Sequence, residues 1–133
     1  MSDPAWAYQQ ALFTALNGQL TKVDGGALPV FSSVPEKTAK PYLVFDHREI
    51  APSDPLARRR DEVFVYLSVW SANAGEREVL HVLSQVDALL HQKQLPLSTG
   101  RVVRVYVTRR YTQRHEDGVT WAGYITLKAL IEH

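Results

Sequence analysis

The residues able to do chemistry are few, and their spacing is informative. There are five histidines. Glu78 and His81 stand three apart in a helical pattern, a spacing that ligates iron when two such pairs face one another. No second pair exists, and closed metal sites take about four ligands. A pair on a helix surface is the better reading, and neither a metal nor another cofactor is expected. Asp46 and His47 end an apolar run, where acid–base residues often sit, and Ser53, Ser68 and Ser71 follow. None of the serines lies in a G-x-S-x-G turn, and there is neither a Walker loop nor a G-x-G-x-x-G run. The stretch VDGGALP (23–29) is turn chemistry rather than a phosphate cradle. With no nucleophile placed beside a base, no catalytic residue is assigned and no enzyme is expected.

The arginines are the stronger signal. Arg58, Arg59 and Arg60 are consecutive inside HREIAPSDPLARRRDEV (47–63), which also holds Arg48. This stretch has no apolar periodicity and two prolines, so it reads as a long loop, and such loops are usually functional or disordered. Glu49, Asp54, Asp61 and Glu62 offset the four arginines, which suits specificity for a protein partner better than phosphate binding. A second basic stretch, Arg101 to Arg114, has five arginines and no acid. In the sequence pattern Arg104, Tyr106 and Arg110 share a face with Tyr124 and Lys128 of the next strand. Phe64, Tyr66 and Trp70 extend that face. Basic residues interleaved with aromatics suit either single-stranded nucleic acid or a subunit interface.

These residues are positioned by a simple order of elements. SDPAWAYQQALFTALNG reads as a helix, with Ser2 or Asp3 as cap, Pro4 in the first turn and Gly18 as stop; Trp6, Phe13 and Leu16 mark its apolar side, with Leu12 beside them. Val30 and Phe31 form a short edge strand. YLVFDHR and EVFVYLSVWS follow as strands, the second apolar on both sides and therefore central or partnered on its second face. ANAGEREVLHVLSQVDALLHQ is the clearest helix, with Asn73 as cap, Glu76 in capping-box position and Val79, Leu80, Leu83, Val86 and Leu90 inward. Gln85, Asp87 and Gln92 face water. The last third is a hairpin. Facing residues of a sheet share a side, so Val103, Val105 and Val107 must pair with odd-numbered residues of VTWAGYITLKALIEH. A three-residue loop, Glu116-Asp117-Gly118, preserves that parity, closes His115 against Val119, and requires a positive φ at Gly118. It also makes Arg110 and Tyr124 direct neighbours, within reach of a cation–π contact.

The expected fold is α+β: a mainly antiparallel four- to five-stranded sheet with two helices packed on one face. Two helices leave the other face bare, and a large exposed aromatic patch usually marks a partner.

Bulk composition agrees. The chain has 133 residues, 45% of them apolar and 22% charged, with a formal net charge of +1. That is one domain's worth, 1–133, with a real core and no strong overall field towards nucleic acid or an anionic membrane. Cysteine is absent, which excludes disulfides and thiolate chemistry. No apolar run approaches the roughly 20 residues that span a bilayer, and MSDPAWAYQQ lacks the pattern of a signal peptide. A cytoplasmic site of synthesis and first action is expected, with no membrane partner.

Order and spacing together resemble a known family. The features are KPYLVF (40–45) opening a strand, the long polar stretch after it, VYLSVWSANAGEREVLHVLSQVDALL (65–90), LPL (95–97) and DGVTWAGYITLKALIE (117–132), with the first helix and VPEKTAKPY (34–42) also fitting. Over nearly the whole chain this is similar to the tail-completion, or tail-terminator, proteins of long-tailed phages and gene transfer agents. The resemblance implies a non-enzymatic virion part that caps the head-proximal end of the tail tube, typically as a six-fold ring, and helps join tail to head. Implied partners are further copies of itself, the tail tube protein and head–tail connector proteins, in the neck of the virion, after assembly in the host cytoplasm. Under that reading Arg48, Arg58, Arg59 and Arg60 become candidate partner contacts. Tyr66, Trp70, Arg104, Tyr106, Arg110 and Tyr124 become a candidate subunit interface. The alternative is a small nucleic-acid-binding module using the basic face of the C-terminal hairpin.

Overall fold

A computed structural model describes residues 4–35, 37–52, 60–72, 75–97 and 101–132. The chain runs α1 (Pro4–Leu16), β1 (Val30–Phe31), β2 (Tyr42–Pro52), β3 (Arg60–Ser71), α2 (Gly75–Leu90), β4 (Arg101–Arg114) and β5 (Trp121–Glu132). The five strands make one sheet in the order β1-β2-β3-β5-β4. β1 runs parallel to β2, and every other neighbouring pair is antiparallel. This is the expected α+β fold.

The core follows from strand alternation. Val63, Val65, Leu67 and Val69 of β3 are buried, as are Ile125, Leu127, Ala129 and Ile131 of β5. The two sets are directly paired, for example Leu67 with Ile125, and so share a side. Val79, Val82, Leu83, Val86 and Leu90 of α2 pack there, with Tyr8, Leu12 and Leu16 of α1. Leu80, expected inward, is half exposed: at one residue past Val79 it turns about 100° away from the stripe. In α1 the buried stripe is Ala5, Tyr8, Leu12 and Leu16, while Trp6 is exposed and Phe13 only partly covered. Trp6 and Phe13, seven apart, share a side, but it lies about 100° round the helix from the buried stripe. Gly18 ends α1 with φ +78°.

The long polar stretch is mostly strand. β2 and β3 pair continuously from His47↔Tyr66 to Pro52↔Asp61, leaving a connection whose residues, including Ser53, Arg58 and Arg59, lie outside those described, as do Ser2, Asp3 and Asn73. Both faces of this outer hairpin meet solvent on β2, so backbone pairing holds it and no apolar alternation marks it.

The C-terminal hairpin departs from the expected register. The parity rule holds at Val105↔Ala129 and Val107↔Leu127. An irregularity then adds Thr108, whose hydroxyl donates to Thr126 O at 3.3 Å, and the pairing becomes Arg109↔Thr126, Arg110↔Ile125 and Tyr111↔Tyr124. One added residue exchanges the faces of everything after it. The turn is correspondingly longer: His115 N–H donates to Thr120 O at 2.8 Å, enclosing residues 116–119. Gly118 has the expected positive φ, +72°, but within this four-residue loop.

Candidate functional site: the uncovered sheet face

Opposite the helices, the sheet presents side chains that no element covers among the described residues. On β3 these are Phe64, Tyr66, Ser68 and Trp70, alternating with the core residues. Pairing puts Tyr42, Val44, His47 and Glu49 beside them from β2, and Tyr124, Thr126 and Lys128 from β5. The added residue in β4 brings Tyr111 against Tyr124 and Arg109 against Thr126.

The aromatic rings are in mutual contact. His47 stacks on Tyr66 with centroids 4.2 Å apart, and Tyr111 on Tyr124 at 4.8 Å. Trp70 meets Tyr124 edge-on at 6.5 Å and His115 at 4.7 Å. Arg109 holds its guanidinium 4.5 Å from the centre of the Tyr111 ring, a cation–π geometry. Beneath the rings lies a polar chain. Trp70 Nε1–H donates to Ser68 Oγ at 2.9 Å, and Ser68 Oγ donates to Asp46 Oδ1 at 3.0 Å. Ser68 is fully buried, so this chain satisfies a hydroxyl that would otherwise be costly inside the sheet. Burial pushes the Asp46 carboxyl above its ordinary range, while the Ser68 hydroxyl and nearby His47 pull it back. Burial, with Tyr111 and Asp46 as neighbours, likewise raises the Tyr124 phenol. Together these residues line a concavity of about 430 Å³ whose floor is the sheet.

The candidate residues separate. Tyr66, Trp70 and Tyr124 come together on this face, and Tyr106 shares it through its pairing with Lys128. Arg110 does not: it lies on the helix side, beside Leu80 and Leu83, because the added residue reverses its face. Its expected contact with Tyr124 is therefore replaced by that of Tyr111. Arg104 is exposed within a second irregularity, between Val102 and Val105. Arg48 belongs to β2 rather than to a loop. Arg60 sits opposite Glu132 and binds its carboxylate at 2.7 Å, tying β3 to β5. Glu78 and His81 diverge: Glu78 accepts from Ser71 Oγ at 3.0 Å and Val23 N at 3.2 Å, while His81 faces Thr21. Gln85, expected in water, clamps Thr21, accepting from its N–H at 3.0 Å and donating to its carbonyl at 2.9 Å. Glu76 accepts from Thr112 of β4 at 2.8 Å. Sequence reasoning missed His47, Arg109 and Tyr111 as members of the face; no residue type in β4 marks the added residue that brings Arg109 and Tyr111 there.

A small α+β domain with an aromatic, arginine-flanked sheet face that no described element covers has the build of an assembly subunit. Comparison with known proteins makes this specific. The model of the family "Tail completion protein gp17" matches residues 10–132, and the chain belongs to that family of phage-tail structural proteins. It is also similar in structure to a chain described as "Virion of native gene transfer agent (GTA) particle". The TM-score is 0.82 over 100% of both chains, at 20% identity, a likeness of fold. Among curated protein sequences none matches.

Proposed function

We propose that this protein completes a phage-type tail by closing the head-proximal end of the tail tube as a ring, six-fold by the family resemblance, and offers the surface on which the head is joined. The observation that carries this is the bare face. Tyr66, Trp70, Tyr111 and Tyr124 line one aromatic concavity of the sheet that no element covers among the described residues, and apolar area left in water is a driving force for association. A ring needs head-to-tail contacts between two different patches of each protomer; the face runs from β2 to β4, whose edges can supply those patches, so its rim is covered when they meet. Arg48, with Arg58 and Arg59 by their place in the sequence, is assigned to contacts with the tail tube protein or head–tail connector proteins. The protein acts in the virion neck, without catalysis.

The nucleic-acid reading is disfavoured by the same geometry. Arg109 lies on the aromatic face, stacked on Tyr111, whereas Arg110 and Arg114 lie on the helix side, Arg114 over the Trp121 ring at 5.0 Å. Arg109, Arg110 and Arg114 therefore form no single stripe that could follow a phosphate backbone.

Electron microscopy of the protein mixed with purified tail tubes tests the proposal. Rings seated on one end of the tubes are expected; uncapped tubes at every concentration would reject it. A gel-shift titration across salt concentration tests the alternative.

A further inference from the structure

We infer that copies of this protein join edge to edge, with β4 of one copy pairing antiparallel to the outer half of β2 of the next; this rests on the ring reading above. Both ends of the sheet carry unpaired strand. At one end β1 reaches only Leu43 and Val44 of β2, so among the described residues His47 to Pro52 have no strand on their outer side. At the other, β4 is the last strand. Its outer edge is met at Val105 by Gln92 and Lys93 and at Val107 by His91 Nδ1. Beyond Val107, among the described residues, no strand pairs with it. Such edges recruit other strands unless something prevents it.

Charge selects the partner. β4 carries five arginines and no acid, so two β4 edges repel one another and a symmetric two-fold pairing is disfavoured. The outer half of β2, His47 to Pro52, holds Glu49 beside a single Arg48, so it meets the arginine edge without that repulsion and offers it one carboxylate. Direction selects the geometry. β2/β3, β3/β5 and β5/β4 are each antiparallel, so β2 and β4 run in opposite senses. A second copy displaced along the strand order, and slid along the strands so that its residues 47–52 lie beside β4 beyond Val107, therefore places its β2 antiparallel to β4 with both helical layers on the same side. That contact is heterologous, the kind a ring requires. Apolar matching adds to it. Ile50 pairs with core-facing Val63, so it lies on the helix side, 47% exposed. On the same side of β4, Leu80 and Leu83 line a hollow of about 280 Å³ with Arg110 and Thr112. An added strand puts alternate side chains into such hollows while its backbone completes the ladder.

The cysteine-free chain allows a direct test by oxidative cross-linking of the double variants Ile50→Cys/Thr112→Cys and Arg48→Cys/Thr112→Cys, whose members all lie on the helix side and which sample registers two residues apart. Within one copy β2 and β4 are three strand spacings apart, roughly 14 Å, too far for a disulfide, which needs Cα atoms within about 7 Å. The expected result is a covalent ladder extending past the dimer in at least one double variant, with each single variant stopping at dimers. Thermal melts matching wild type confirm that the variants fold. If native mass spectrometry finds wild-type rings but neither double variant links beyond the dimer, edge pairing is overturned and the ring survives. A wild-type protein that stays monomeric at all concentrations, with no cross-linked species, overturns both.

Discussion

Gly123 of β5 and Val79 of α2 touch backbone to side chain. A Cβ added at residue 123 would stand 2.1 Å from Val79 Cγ1 and 3.1 Å from Leu83 Cδ1. The glycine lets the helix settle onto the sheet just where the strand pairs with Val69 and Thr112. Gly123→Ala must therefore lift α2 or force off-rotamer side chains, at about 1–3 kcal/mol. Denaturant unfolding measures this. In the double variant Gly123→Ala/Val79→Ala the clash is relieved, so the two effects are expected to be less than additive; simple additivity would reject the contact as the cause.

Glu78 is buried at the start of α2 and serves two donors from separate segments, Ser71 Oγ and Val23 N. Glu78→Ala leaves the Ser71 hydroxyl and the Val23 amide without this acceptor, which costs about 1–3 kcal/mol for a buried donor. Ser71→Ala in the same background is expected to recover part of the loss. Chemical denaturation of the four proteins in this cycle decides it: equal losses with and without Ser71 Oγ would refute the shared role.

The element order was legible because β3 and α2 carry their periods openly: Val63 to Val69 alternate, and Val79 to Leu90 repeat at helical spacing. The bare face was legible too, since two helices cannot cover both sides of a sheet. Register was not. A strand irregularity such as the one at Thr108 needs no special residue type, and it moves Tyr111 onto the aromatic face and Arg110 off it. The outer β2–β3 hairpin was hidden for a different reason. Its stability comes from backbone hydrogen bonds, which are the same for every residue type except proline, and its solvated side chains carry no pattern. Gly123 showed only as a gap in the apolar alternation, a mark of close backbone approach that acquires meaning once Val79 is known to lie above it.

Asp117 caps the hairpin turn, accepting from the backbone N–H groups of Val119 and Thr120 and from the Thr120 hydroxyl, at 2.7–2.9 Å. These bonds, those of Thr120 first, hold its carboxyl down at about 2, against an ordinary 3.8. The folded value lies below the unfolded one, so the ionised carboxylate stabilises the turn above the ordinary value. That contribution is lost as pH falls through the window from about 4 to about 2. Asp117→Ala is expected to melt below wild type at neutral pH, and the gap is expected to close as pH is lowered through that window. A gap independent of pH would show that the charge does not matter.

Tyr111 separates folding from assembly. It is 40% exposed and its contacts in the lone subunit are the ring of Tyr124 and the guanidinium of Arg109, so Tyr111→Ser costs the monomer about 1 kcal/mol at most. If the aromatic face is covered by a neighbouring copy, the same ring becomes a central, desolvated anchor. Truncating such an anchor typically costs 2 kcal/mol or more, roughly a 30-fold weaker association. Sedimentation velocity over a concentration series, with thermal melts alongside, distinguishes the two effects. A variant that melts close to wild type but needs far higher concentration to oligomerise supports the face as an interface. Unchanged association with an unchanged melt would remove Tyr111 from it, and an equal loss in Trp70→Ala and Tyr66→Ala would then be required for the face to retain its role.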